Sequence, residues 1–232
     1  MRRGSVRRLA LVLVVLSGTG WLWAKPFQVM GIGGAGGMYT PMVSPYNPKL
    51  MFVSCDMSGS YRSTDGGRHW EMIHHSQMNS SRSCRPAFGP SEVYWTKGGR
   101  ELRVSTDAGK TWRPVLSGAN PWGRDTVSWL AVIPTEPRRV MVGTGSNVYA
   151  VEVGNTAAQG KANKVLSGRG PCRGLIYIDE KVYAALGKTV YVSIDRGKTF
   201  NPVNAQPGPG EILHLTGGAT GNREVLFAAV SN

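Results

Sequence analysis

Ser105-Thr106-Asp107-Ala108-Gly109-Lys110-Thr111-Trp112 recurs twice in altered form, as Ser63-Thr64-Asp65-Gly66-Gly67-Arg68-His69-Trp70 and as Ser193-Ile194-Asp195-Arg196-Gly197-Lys198-Thr199-Phe200. The shared pattern is S-x-D-x-G-x-[TH]-[WF]. Three hits to five fixed positions in 232 residues are not chance. Asp65 and Asp107 lie 42 residues apart, and Asp107 and Asp195 lie 88 apart, close to two further steps. A degenerate copy belongs midway, and Asn147-Val-Tyr-Ala-Val-Glu-Val-Gly154 fills that place without the Asp.

A period in the forties matches one four-stranded propeller blade. The upstream half of each unit recurs as well, at Asn47–Val53, Ser91–Trp95, Glu136–Val142, Glu180–Ala184 and Asn222–Phe227. Each is a turn followed by a β-branched or aromatic run, which reads as a strand. Long helical periodicity is absent after the first residues. The three motifs resemble the Asp-box (BNR) repeat of sialidase, sortilin and xyloglucanase propellers. The resemblance implies an all-β fold, a β-propeller of four-stranded blades, with about four and a half blades present. Ser63, Ser105 and Ser193 with Asp65, Asp107 and Asp195 are expected to bond turn amides. Gly67, Gly109 and Gly197 supply positive φ. Trp70, Trp112 and Phe200 bury against neighbouring strands. The box is therefore expected to staple a hairpin, not to bind a ligand.

Residues 1–24 read as an export leader, with Arg2, Arg3, Arg7 and Arg8 ahead of the apolar run Leu9–Leu16. It is either a cleaved signal peptide or an uncleaved N-terminal membrane anchor, and contact with a membrane is expected only through the latter. Residues 25–232 form the propeller portion, and the protein is expected to be periplasmic, secreted or at the cell surface. The last unit runs through Glu211–Leu215 and Glu224–Phe227 without reaching a box. Because a propeller covers its sheet edges by closing, the expectation is a fragment, with assembly with a second chain as the alternative.

The chain carries 27 Lys+Arg against 14 Asp+Glu, a net +13. The leader holds four of the arginines and no acid, so the remainder is still +9. That balance fits either a solvated surface or affinity for an acidic polymer or surface. Scattered basic residues in an exported chain argue against nucleic acid. Cys55, Cys84 and Cys172 either leave a Cys55–Cys84 bridge between neighbouring blades or are free buried thiols. No metal-type spacing occurs, and no cofactor is implied.

The first strand of each blade lines the central channel. The candidates are Met38–Val43, Cys84–Phe88, Val127–Val132, Cys172–Ile176 and Ile212–Leu215. Two open alike, at Cys84-Arg85-Pro86 and Cys172-Arg173-Gly174. Arg85 and Arg173 are thus candidates to face the channel mouth and bind an anionic or hydroxylated ligand. Asp125 also precedes an inner strand. Gly31–Gly37 leads into Met38–Pro45, then Asn47–Ser54 and Cys55-Asp56-Met57-Ser58-Gly59-Ser60-Tyr61-Arg62. The run lacks the strand-then-helix setting of a phosphate loop.

Residues 27–72 resemble the first blade of family 74 glycoside hydrolases, the xyloglucanases. The resemblance implies that Asp56 is the base of an inverting reaction, with Tyr61 and Arg62 shaping a sugar site. The sequence departs from the family at Cys55, Met57 and Ser58. Such chemistry needs a second carboxylate ~6.5–9.5 Å away. In the family it comes from a second propeller, and Asp125 is the weak local candidate. Three functions stand open: a family 74-like hydrolase acting on glycans, a non-enzymatic scaffold for protein or peptide partners like sortilin or a photosystem assembly factor, and a sialidase. The last lacks an Arg-Ile-Pro segment and a third arginine.

Overall fold

The computed structural model describes residues 36–57, 59–79, 84–221 and 223–231. The leader, most of the Gly31–Gly37 run and Ser58 lie outside the described residues. The described residues fold into five antiparallel sheets. The first holds β1 (Met38–Val43), β2 (Met51–Cys55), β3 (Gly59–Ser63) and β4 (Glu71–Met72). The second holds β5 (Ala87–Phe88), β6 (Val93–Lys97), β7 (Glu101–Ser105) and β8 (Arg113–Pro114). The third holds β9 (Trp129–Ile133), β10 (Glu136–Gly143), β11 (Asn147–Glu152) and β12 (Lys161–Ser167). The fourth holds β13 (Cys172–Ile178), β14 (Lys181–Leu186), β15 (Thr189–Ser193) and β16 (Asn201–Pro202). The fifth is the pair β17 (Ile212–Thr220) and β18 (Arg223–Val230). Each sheet is an up-and-down meander in chain order. One short 3-10 turn, Ala157–Gln159, is the helical content among the described residues.

The four buried clusters lie between successive sheets. Phe52 and Leu50 of the first meet Trp95, Val93 and Trp112 of the second. Tyr94, Leu102 and Val104 meet Val140, Val142 and Val151. Met141, Val148 and Ala150 meet Leu175, Val182 and Ala184. Tyr183, Ala185 and Val190 meet Ile212 and Leu215. The second strand of each four-stranded sheet is apolar on both faces for this reason: each side of the sheet is covered by a neighbour.

The first strands run alongside one another in the same direction. A Cβ at Gly174 in β13 would sit 2.4 Å from Leu215 Cβ in β17, and one at Gly217 would sit 3.0 Å from Ile178 Cδ1 at the far end of β13. Likewise Ser128 Oγ, just ahead of β9, donates to the Cys172 carbonyl at the start of β13 (3.4 Å).

The Asp boxes occupy the loops between third and fourth strands. In each box the serine oxygen accepts the N–H of the fifth residue, Gly67, Gly109 or Gly197, at 2.8 Å and donates to the aspartate, at 2.9 Å for Ser63–Asp65, 2.8 Å for Ser105–Asp107 and 2.7 Å for Ser193–Asp195. The other carboxylate oxygen holds the residue four on: His69 Nδ1 at 2.6 Å, Thr111 Oγ1 at 2.6 Å and Thr199 Oγ1 at 2.5 Å. The backbone and ring of His69 hold the Asp65 carboxyl well below its usual range. For Asp107 and Asp195 burial pushes upward, but hydrogen bonds from Thr111 and Ser105, and from Thr199 and Ser193, outweigh it and leave both carboxyls low.

Residues four and five of each box are left-handed: Gly66 and Gly67 at φ +79° and +85°, Ala108 and Gly109 at +56° and +80°, Arg196 and Gly197 at +60° and +78°. In the third sheet, where the Asp is missing, Gln159 Oε1 accepts the Asn155 N–H at 3.0 Å across the equivalent loop.

Candidate functional site

A cavity of about 610 Å³ runs along the common axis. Its wall is made by β1, β9, β13, β17 and the segment that leads into β5. Arg85, Pro86, Trp129, Arg173, Leu213 and His214 form its upper part. Arg85 and Arg173 sit at matching places, one residue after a buried cysteine, because each precedes or opens the inner strand of its sheet. Both are exposed, and neither guanidinium forms an ion pair or hydrogen bond among the described residues. The Trp129 and His214 rings meet with centroids 5.2 Å apart. None of the described residues lining this cavity is acidic.

Thr40 also faces the cavity and is strained. Its φ is +52°, a left-handed value costly for a β-branched residue. It sits at a shift in register between β1 and β2, ahead of Pro41. Its Oγ1 is buried and finds no partner among the described residues.

Asp56 follows β2 and stands beside the start of β1. Its Oδ1 accepts the Gly37 N–H at 2.9 Å, and its own N–H donates to the Gly37 carbonyl at 3.2 Å. A Cβ at Gly36 would come within 2.6 Å of Asp56 Oδ1, so glycine there lets the carboxylate close onto the backbone. Asp125 is exposed in the loop before β9, 3.1 Å from where a Gly145 Cβ would be. Neither aspartate lines the axial cavity.

Tyr61 and Arg62 lie on β3, away from the axis. The Arg62 guanidinium pairs with Glu71 at 2.6 Å and donates to the Ala108 carbonyl of the next sheet at 3.3 Å, so it ties two sheets together. Trp122 is buried, its Nε1 donating to the Arg100 carbonyl at 3.0 Å. Of Trp122 and Trp129, only Trp129 borders the cavity. His74 and His75 are exposed and stack on each other at 4.7 Å. Cys55, Cys84 and Cys172 are all buried and none is in a disulfide, so the Cys55–Cys84 bridge is not formed. Among the described residues no three His, Cys, Asp or Glu side chains gather as a metal site.

The family model for the BNR/Asp-box repeat matches residues 103–114, which span the end of β7, the second box and β8. Among solved structures, YCF48 from Cyanidioschyzon merolae aligns over 81% of this chain and 62% of its own, at TM-score 0.57 and 15% identity. The GH74 xyloglucanase from Xanthomonas campestris aligns over 74% of this chain and 30% of its own, at TM-score 0.51 and 18% identity. The fold is a β-propeller. The GH74 enzyme of Niastella koreensis gives the same result, over 72% of this chain and 30% of its own, at TM-score 0.58 and 15% identity. The chain thus spans 62% of the YCF48 structure and 30% of each of these two enzymes. A search of the curated proteins finds no match.

The five sheets are accordingly blades, four of them four-stranded and the fifth a pair. The axial cavity is the propeller's central channel. Because strands alternate in direction within a blade, the Asp boxes lie at one end of the propeller. Asp56, Arg85, Asp125 and Arg173 lie at the other end, where the inner strands begin.

Proposed function

We propose that this propeller is a binding module, and that it takes an anionic ligand at the channel mouth. One observation carries the reading: among the described residues the channel presents Arg85, Arg173 and His214 and no carboxylate. Guanidinium groups without acid partners bind carboxylate or phosphate with charge-assisted hydrogen bonds. The surrounding excess of positive charge favours the approach of an acidic partner, glycan or protein. Trp129 adds an aromatic face. We place the module outside the cytoplasm, on the strength of the basic and apolar leader.

The hydrolase reading requires two opposed carboxylates. Asp56 is committed to the Gly37 amide, and Asp125 is on another blade, outside the channel. A sialidase requires three arginines on one carboxylate, and the described channel lining contains two. Binding therefore ranks above either chemistry.

The test is calorimetric titration of the full chain with an acidic peptide and with an acidic oligosaccharide, alongside the Arg85→Ala/Arg173→Ala double variant. Saturable binding of at least one probe that the double variant loses is the expected result. Binding that the variant retains, or turnover of a neutral glucan abolished by Asp56→Asn, would overturn it.

A further inference from the structure

A second cleft, of about 590 Å³, opens beside the channel mouth on the same end of the propeller. It lies between the loop that leaves β12 and the tight turn joining β14 to β15. Glycines bring these two segments into contact. A Cβ at Gly170 would be 2.7 Å from Gly187 Cα, and one at Gly187 would be 2.3 Å from the Arg169 carbonyl. Gly168 rests on Leu186 in the same way, with its missing Cβ 2.7 Å from Leu186 Cβ. Larger residues at these positions would force the segments apart.

The contact places the neighbours of these glycines, Arg169 and Lys188, on the rim of one cleft. Both are exposed and neither has an ion-pair or hydrogen-bond partner among the described residues. The wall adds the half-buried Tyr191 ring, the Thr189 hydroxyl and the Glu211 carboxylate. Arg173 of the channel lies four residues after Arg169 on the same segment, so the two sites adjoin.

We propose that this cleft is a subsite for an acidic sugar residue of a polyuronate-type glycan whose chain continues into the channel mouth. This deepens the binding reading above and rests on it. Arg169 and Lys188 pair with the sugar carboxylate, Glu211 and Thr189 accept its ring hydroxyls, and Tyr191 packs on the pyranose face. Glu211 is what favours a glycan over an acidic peptide. Its carboxylate repels both polyanions, but it accepts hydrogen bonds from hydroxyl donors, which the glycan carries and a polyglutamate lacks.

The experiment titrates the full chain with a galacturonate hexamer, a neutral glucan of equal length and a polyglutamate peptide. It is repeated with Arg169→Ala/Lys188→Ala, Lys188→Glu, Glu211→Gln and Arg85→Ala/Arg173→Ala, with each variant's melting temperature checked. The hexamer is expected to bind and the neutral glucan not to bind. Arg169→Ala/Lys188→Ala should weaken the hexamer by about tenfold or more, because charge-assisted contacts are lost. Lys188→Glu should weaken it further, and Glu211→Gln should strengthen polyglutamate by more than it changes the hexamer, because only the hexamer gives up hydroxyl bonds to the carboxylate in exchange for the relieved repulsion. Hexamer binding that depends on Arg85 and Arg173 but not on Arg169 and Lys188 overturns the cleft and leaves the channel reading standing. Tighter binding of polyglutamate through Arg169 and Lys188 overturns the sugar assignment. Loss of all anion binding sensitivity in both double variants overturns both.

Discussion

Gly109 lies against the Phe52 ring: a Cβ at Gly109 would come within 2.5 Å of two Phe52 ring carbons, though the residues are 57 positions apart and in different blades. Phe52 is fully buried and also meets Trp95 and Trp112 edge-on at 5.9 and 6.0 Å. The same relation recurs between Gly197 and Met141, where the approach is 2.5 Å to Sδ. The box glycine thus does two jobs. It adopts a left-handed turn, and it leaves room for the second strand of the blade before it.

Gly109→Ala should destabilise the protein by about 2–4 kcal/mol, from overpacking against a ring that cannot move and from the left-handed φ. Gly197→Ala should cost less, because the Met141 side chain is flexible enough to swing aside. Urea midpoints of the two variants check the order. Equal midpoints would mean that turn strain, not contact with the neighbouring blade, sets the requirement.

The box carboxylates predict how stability depends on pH. Asp65, Asp107 and Asp195 are held below the ordinary aspartate value in the folded state. A group depressed in this way contributes fully above its unfolded value, about 4, and its contribution is lost as pH falls through the folded value. The protein should therefore lose stability steadily below about pH 4. The Asp107→Asn variant should be less stable at neutral pH yet fall less steeply under acid. Parallel curves for the two proteins between neutrality and acid would contradict this.

Burial pushes the thiols of Cys84 and Cys172 up to about 12. Only the thiolate is reactive. In the folded protein at mildly alkaline pH both should resist a thiol reagent such as Ellman's, and both should react at once in denaturant. Rapid labelling of either in the folded state would show that its blade opens locally.

The boxes were legible because each packs its serine, aspartate, glycine and aromatic into one hairpin loop, so the whole interaction lies within eight residues. The recurring strand segments were legible for the same reason. Arg85 and Arg173 were found by aligning one blade on another. The third blade's loop was visible only as a gap in the spacing, since Gln159 and Asn155 replace the Asp by a bond that no motif spells. Contacts between blades were not legible. Nothing local joins Phe52 to Gly109, or Arg62 to the Ala108 carbonyl. The left-handed Thr40 gave no signal, because β-branched residues ordinarily avoid that region. Arg169 and Lys188 are 19 residues apart and line one cleft because three glycines let two loops touch.

Each hydrophobic layer in this molecule belongs to two blades and is whole only when both are present. In the second and fourth blades the box closes over the second strand of the blade before it, through Gly109 on Phe52 and Gly197 on Met141. No blade is therefore a self-sufficient unit: removing one strips a face from each of its neighbours, so the described blades stand or unfold together.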